Sequence, residues 1–122
     1  MMNLHESAEM YLETIYVLSQ KTGSVRSIDI AEHMGYSKPS VSRAVGLLKQ
    51  GGYLNMGEDG YLTLTDDGQR AAKKIFERHT VLSKFLAFIG VDDEIASKDA
   101  CKIEHVVSDE TISAINNFLN KM

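Results

Sequence analysis

The chain has 122 residues, 43% of them hydrophobic, enough for one compact domain or for a small domain with a helical annex. It has no apolar run near ~18 residues and no signal-peptide pattern, so the sequence reads as a soluble, cytoplasmic protein with no membrane span. Its single cysteine, Cys101, excludes an internal disulfide, and a net charge of −4 excludes a general polycation while leaving local nucleic-acid contacts open.

Residues from about 5 to 21 are predicted to be helical, because Leu4, Ala8, Tyr11, Leu12, Ile15 and Leu18 share one stripe when each residue advances about 100°. Met10 and Glu13 lie at the edge of that stripe, three residues apart and hence neighbours on the surface. Taken singly, Met10 reads as a gap-filling core residue and Glu13 as a solvated carboxylate. Lys21-Thr22-Gly23 supplies a cation and a glycine stop. Ser27 is then placed to cap a short helix carrying Ile28, Ala31 and Met34, with Gly35 closing it. Ser37 is a good cap for the next helix, and Pro39, the only proline, falls in its first turn, where a missing N–H is tolerated. Val41, Ala44, Val45 and Leu48 form the apolar face of that helix. Two helices joined by a glycine-containing turn make a helix-turn-helix pattern.

The second of these helices begins with a distinct chemistry. Ser37, Lys38, Pro39, Ser40, Ser42 and Arg43 crowd its start with hydroxyls and cations, and residues 37 to 51 contain no acid. In helix-turn-helix proteins this end of the second helix faces base edges, and its free N–H groups favour phosphate. Arg43 is the candidate for a bidentate contact with guanine. The same residues also suit an ordinary capped surface helix, but an acid-free start in an acidic chain favours double-stranded DNA.

Tyr53 to Met56 and Tyr61 to Leu64 read as two short strands joined by Gly57-Glu58-Asp59-Gly60. A hairpin after a helix-turn-helix is the wing of a winged helix, and the acids at its tip argue against deep insertion between phosphates. Thr65-Asp66-Asp67-Gly68 caps a long helix to about Ile89 whose inner stripe is Ala72, Ile75, Phe76, His79, Leu82, Phe85 and Leu86. Gly90 and the acidic run that follows punctuate the chain before the stretch Asp99 to Glu110. On a helix, Cys101, Glu104 and His105 fall at i, i+3 and i+4, which points a thiolate, a carboxylate and an imidazole from one face. That mixture suits a divalent transition metal, with other segments completing the shell. Ser108 caps a last helix carrying Ile112, Ile115, Phe118 and Leu119, an apolar annex whose simplest use is a dimer interface.

The order of elements resembles the diphtheria-toxin-repressor family of metal-dependent transcriptional repressors, with its iron- and manganese-responsive branches. The resemblance covers essentially the whole chain and is most specific in Ala8 to Tyr16, Ser37 to Arg43, and Ala100 to Glu110. It implies a mainly α fold: a winged helix-turn-helix (residues 1–65) followed by a helical metal-binding and dimerisation region (residues 66–122). Longer iron-type members add a small β-barrel, for which these residues leave no room. By motif, Met10, Cys101, Glu104 and His105 match the iron-type activating site, and His79 matches a ligand of the family's second site. Ser83 and Ser97 stand where iron-type members place further second-site ligands. Glu13 matches a carboxylate that manganese-type members use beside the equivalent of His79, and those members carry acids at the positions of Met10 and Cys101. The ligand set is a hybrid.

Thioether and thiolate donors favour Fe(II), Co(II), Ni(II) or Zn(II) over the harder Mn(II); affinity rank alone would put zinc or copper ahead of iron, so cellular availability decides, and iron is expected first and manganese next. The resemblance implies a homodimer that binds a pseudo-palindromic operator when metal ties the ligands together, setting two recognition helices about 34 Å apart. The rival readings are a metal-independent DNA-binding module and a metalloenzyme. The second lacks a general-base constellation and leaves the recognition helix unexplained, so no enzymatic activity is expected.

Overall fold

The computed structural model describes residues 6–122; Leu4, expected on the first apolar stripe, lies outside them. In chain order the elements are α1 (Glu6–Thr22), β1 (Val25–Arg26), α2 (Ser27–Met34), α3 (Lys38–Gln50), β2 (Leu54–Met56), β3 (Tyr61–Leu64), α4 (Asp66–Phe88), α5 (Asp93–Ile103) and α6 (Asp109–Asn120). The fold is a winged helix followed by a helical region. Two compact units divide the chain, one running to Lys73 and the other from Lys74 to Met122.

In the first unit, Tyr11, Leu12 and Ile15 of α1 and Val41, Val45 and Leu48 of α3 form one buried cluster with Ile30, Val25, Leu54, Leu62 and Ala72. The expected stripes of α1 and α3 therefore face the core. The three strands form an antiparallel sheet in the order β1-β3-β2, with Val25 opposite Leu62 and Leu54 opposite Leu64. The hairpin is thus the wing, and β1 is a third strand that the sequence pattern did not announce. At the wing tip the Asp59 carboxylate accepts the Tyr61 N–H at 3.1 Å, so one of the two tip acids is committed to the turn. The Arg26 guanidinium lies 4.3 Å from the centre of the Tyr61 ring.

Two local expectations need correction. Ser27 is the first residue of α2 rather than its cap; Arg26 is the cap, and its N–H donates to the Asp29 carboxylate at 2.8 Å. The core residue of α2 is Ile30, fully buried, whereas Ile28 is 39% exposed. The remaining punctuation is as the residues suggest. Gly35 ends α2 at φ 71°, and Ser37 caps α3 by accepting the Ser40 N–H at 3.3 Å. The start of α4 is fastened to the loop before β2: Thr65 Oγ1 donates to the Gly52 carbonyl at 2.6 Å and accepts the Gly68 N–H at 3.1 Å.

In the second unit, Ile75, Leu82, Ala96, Ala100 and Glu104 are buried. Phe76, placed on the inner stripe of α4 by its spacing, is instead 39% exposed. Asp92 caps α5 through the Glu94 N–H, and Ser108 caps α6 through the Thr111 N–H. No residue of α6 is buried. Its Phe118 makes edge-to-face contacts with Phe85 and Phe88, at centroid distances of 6.2 and 6.0 Å.

Candidate functional site

α5 ends at Ile103, earlier than the ligand spacing requires, so Glu104 is the helix cap and His105 lies in the turn beyond it. The three candidate ligands therefore do not fan out from a continuous helix. Among the described residues the structure instead gathers His79, Cys101 and Glu104, with one ligand atom from each lying within 4.8 Å of the others. His79 comes from α4, Cys101 from the last turn of α5 and Glu104 from its cap.

Glu104 is the centre of the arrangement. It is a carboxylate with no exposed surface, an environment in which an unpaired anion is strongly disfavoured. Its Oε2 stands 3.0 Å from His79 Nδ1, while Oε1 has His105 Nε2 at 3.4 Å and makes no hydrogen bond among the described residues. The Cys101 sulfur lies 3.7 Å from the same His79 Nδ1, and Ser97 Oγ lies 3.4 Å from Nε2. Cys101 is exposed, so the cluster combines an accessible soft donor with a buried hard one. A buried carboxylate oxygen lacking a hydrogen bond, beside a thiol and an imidazole, is the donor chemistry of a divalent transition metal. His79, Cys101 and Glu104 fit that group, and His105 extends the set on the far oxygen of Glu104. Met10 and Glu13 are on α1, in the first unit.

No motif or spacing singles out Arg78, the residue before His79. Its guanidinium donates to the carbonyls of Glu104 at 3.0 Å and Val107 at 2.6 Å, and also to the Asp109 carboxylate. Arg78, and then Lys74, hold the Asp109 carboxyl below its ordinary range. Arg78 could not have been found by pattern, because two of its three partners are main-chain atoms.

In the first unit all six candidate DNA residues, Ser37, Lys38, Pro39, Ser40, Ser42 and Arg43, are exposed, while the intervening Val41 is fully buried. The polar end of α3 therefore faces outward with its apolar side held by the core. Ser37 Oγ also donates to Ser40 Oγ at 2.9 Å, which orders two of the hydroxyls. A cleft beside this end is lined by Ser7, Tyr36, Ser40, Arg43 and Leu47, among others. Leu47, one turn after Arg43, is 60% exposed and adds an apolar patch that hydrophilic patterning could not reveal. Tyr11 backs the cleft; burial, with Tyr36 beside it, pushes its hydroxyl above the usual tyrosine range.

Residues 3–63 match the family description "Iron dependent repressor, N-terminal DNA binding domain", and residues 65–122 match "Iron dependent repressor, metal binding and dimerisation domain". An uncharacterised HTH-type transcriptional regulator of Methanocaldococcus jannaschii is 32% identical over 120 residues, covering 97% of this chain and 96% of that protein. The HTH-type transcriptional regulator MntR of Lysinibacillus sphaericus is 37% identical over 116 residues, covering 95% of this chain and 84% of its own length. Among solved structures, the manganese regulator SloR superposes with a TM-score of 0.82 at 29% identity over 98% of this chain. The chain spans only 55% of the SloR chain.

Proposed function

The chain belongs to the diphtheria-toxin-repressor family of metal-dependent regulators, and on that premise we propose that it is a metal-activated, sequence-specific DNA-binding repressor controlling metal-ion homeostasis. The observation that carries this reading is the buried Glu104 carboxylate, set between His79 and His105 with Cys101 within ligand reach of His79. His79, Cys101, Glu104 and His105 would hold the metal, and Met10 and Glu13 of α1 are assigned as further ligands on their sequence motif. A bound dication would supply positive charge beside the buried carboxylate.

The DNA contacts are assigned to Ser37, Lys38, Pro39, Ser40, Ser42 and Arg43, which share the exposed, acid-free start of α3. The Lys38 N–H and ammonium would meet phosphate, and Arg43 a base edge. The partner is double-stranded, pseudo-palindromic operator DNA, and the working form is a cytoplasmic homodimer. The half-covered apolar side of α6 supports the dimer. No helix among the described residues is long and apolar enough to cross a membrane. Its relatives are named as regulators, and we read this chain as a regulator rather than an enzyme.

Fe(II) is the metal we favour. The thiolate of Cys101 and the thioether of Met10 are soft donors, which Mn(II) uses poorly, and Co(II), Ni(II) or Zn(II) should substitute in vitro. A manganese reading is favoured by a different observation, the names MntR and SloR carried by similar proteins.

The test is anaerobic DNA-binding anisotropy on genomic fragments upstream of metal-transport genes, at constant salt, with chelator, Fe(II), Mn(II), Co(II) or Zn(II). Tight binding should require metal, and His105→Ala should lose that response while keeping the weak nonspecific binding. Equal affinity with chelator would make the chain a constitutive DNA binder. A response highest with Mn(II) would overturn the preference for iron alone.

A further inference from the structure

α4 reaches residue 104 with two consecutive side chains. His79 meets the Glu104 carboxylate at 3.0 Å, and Arg78 meets the Glu104 carbonyl, also at 3.0 Å. The Arg78 side chain is 11% exposed and also donates to the Val107 carbonyl at 2.6 Å. Its third bond goes to Asp109, the first residue of α6. The carbonyls at the end of α5 have no partner in their own helix and carry the negative end of its dipole. A planar guanidinium answers both needs at once, since Nη1 donates its two N–H groups to the two carbonyls while Nη2 stays paired to the Asp109 carboxylate. The turn from Glu104 to Val107 is otherwise held by the Val106 and Val107 N–H groups, both bonded to the Ile103 carbonyl. Nothing in those local bonds fixes its distance from α4.

We propose that Arg78 is a positioning residue for the metal centre, fixing the main chain on which Glu104 and His105 are carried so that both side chains are in place before a metal arrives. This rests on the metal-activated reading above. Arg78 touches no ligand atom of the cluster. It acts through the backbone of the turn, as hydrogen-bonding partners behind a ligand commonly do when they set metal affinity. The bond to Asp109 ties the same guanidinium to the start of α6, whereas the carbonyl bonds hold the main chain of the turn against α4, beyond the Glu104 N–H bond to the Ala100 carbonyl that ends α5.

The experiment is a Co(II) titration of the full chain, followed by visible absorption and made anaerobically on the wild type, Arg78→Gln, Arg78→Lys and Asp109→Asn. Far-UV circular dichroism and thermal melts on each protein report the fold. Arg78→Gln should weaken Co(II) binding by about 10- to 100-fold with its helical signal unchanged, and saturating metal should restore wild-type DNA affinity. Arg78→Lys keeps the charge but not the reach or planarity of the guanidinium, and should recover only part of the loss. Asp109→Asn leaves the carbonyl bonds in place and should bind Co(II) as the wild type does. A lowered melting temperature with an unchanged Co(II) isotherm in Arg78→Gln would make Arg78 a structural clamp only and overturn the proposal. If Arg78→Gln does not fold, Arg78→Lys decides, and a wild-type isotherm there is equally fatal. Failure of the wild type to bind Co(II) at all would instead remove the metal reading beneath it.

Discussion

Two glycine-to-alanine substitutions in helices should move stability in opposite directions. At Gly68, in the first turn of α4, an added Cβ would lie 2.1 Å from the Tyr53 carbonyl oxygen, 3.1 Å from its carbon and 3.2 Å from Leu64 Cδ2. Carbon contacts settle at about 3.5 Å or more, so the alanine demands a retreat of more than about 1 Å. The retreat is opposed by the Thr65 N–H on the Tyr53 carbonyl at 3.1 Å and the Thr65 hydroxyl on the Gly52 carbonyl at 2.6 Å. Alanine gains about 0.8–1.0 kcal/mol of helix propensity over glycine. Against this stand about 1–3 kcal/mol for overpacking and about 1 kcal/mol for each hydrogen bond displaced. With both bonds displaced, the balance for Gly68→Ala is a loss of about 2–4 kcal/mol. Gly46 in α3 has nothing within 4 Å of the same atom, so Gly46→Ala keeps its propensity gain of up to about 1 kcal/mol. Urea unfolding followed by circular dichroism measures both, and a midpoint for Gly68→Ala at or above the wild type would refute the packing argument. So would a pair of variants that shift together.

Three further outcomes concern the candidate sites. Arg43→Ala should relax operator preference by about 1–3 kcal/mol, read as the ratio of specific to nonspecific affinity at fixed salt, with the metal isotherm unchanged. Cys101→Asp replaces a soft donor by a hard one, so the midpoints for Co(II) and Zn(II) should rise relative to that for Mn(II); an equal loss for all metals would show that the thiolate sets no preference. Asp109 has its carboxyl lowered by Arg78 and Lys74, so its contribution to stability is present above the unfolded carboxyl pKa and is lost as pH falls through the folded one. Thermal melts of Asp109→Asn against wild type should therefore differ at neutral pH and converge below about pH 4, whereas a constant gap to lower pH would show that the carboxylate charge contributes nothing.

The parts of the fold that were legible are those in which one residue decides the geometry locally. Ser37, Thr65 and Ser108 sit at helix starts because a side-chain oxygen can take an orphaned N–H there, and Gly35 ends α2 because φ 71° suits glycine. The long α1 spans enough turns for a stripe to be unambiguous. α2 has eight residues, barely two turns, so Ile28 and Ile30 compete for the core on equal terms. Only the packing of the unit selects Ile30. β1 is two residues long and exists because Val25 finds Leu62 across the ladder, a pairing 37 positions away that no alternation pattern could signal.

The candidate site was legible in its residue types and illegible in its geometry. Cys101, Glu104 and His105 attract notice at helical spacing, but nothing nearby marks the end of α5 at Ile103, where neither glycine nor proline breaks the run. The break is held from outside, by an arginine 26 positions earlier whose partners are carbonyl oxygens common to every residue. Helical spacing marks Glu104 but says nothing of its burial, which Glu110, exposed, does not share. What separates them is that one carboxylate is buried between two imidazoles, and the other faces water at the start of α6. Burial makes the difference chemical, since water satisfies Glu110, whereas Glu104 must be answered by its neighbours or by a cation. Arg78 is not placed as that cation, because its bonds go to the carbonyls of Glu104 and Val107 and to Asp109 and not to the Glu104 carboxylate. Consecutive residues of α4 thus divide the work, Arg78 placing residue 104 by its backbone while His79 takes one oxygen and leaves the other without a hydrogen bond among the described residues.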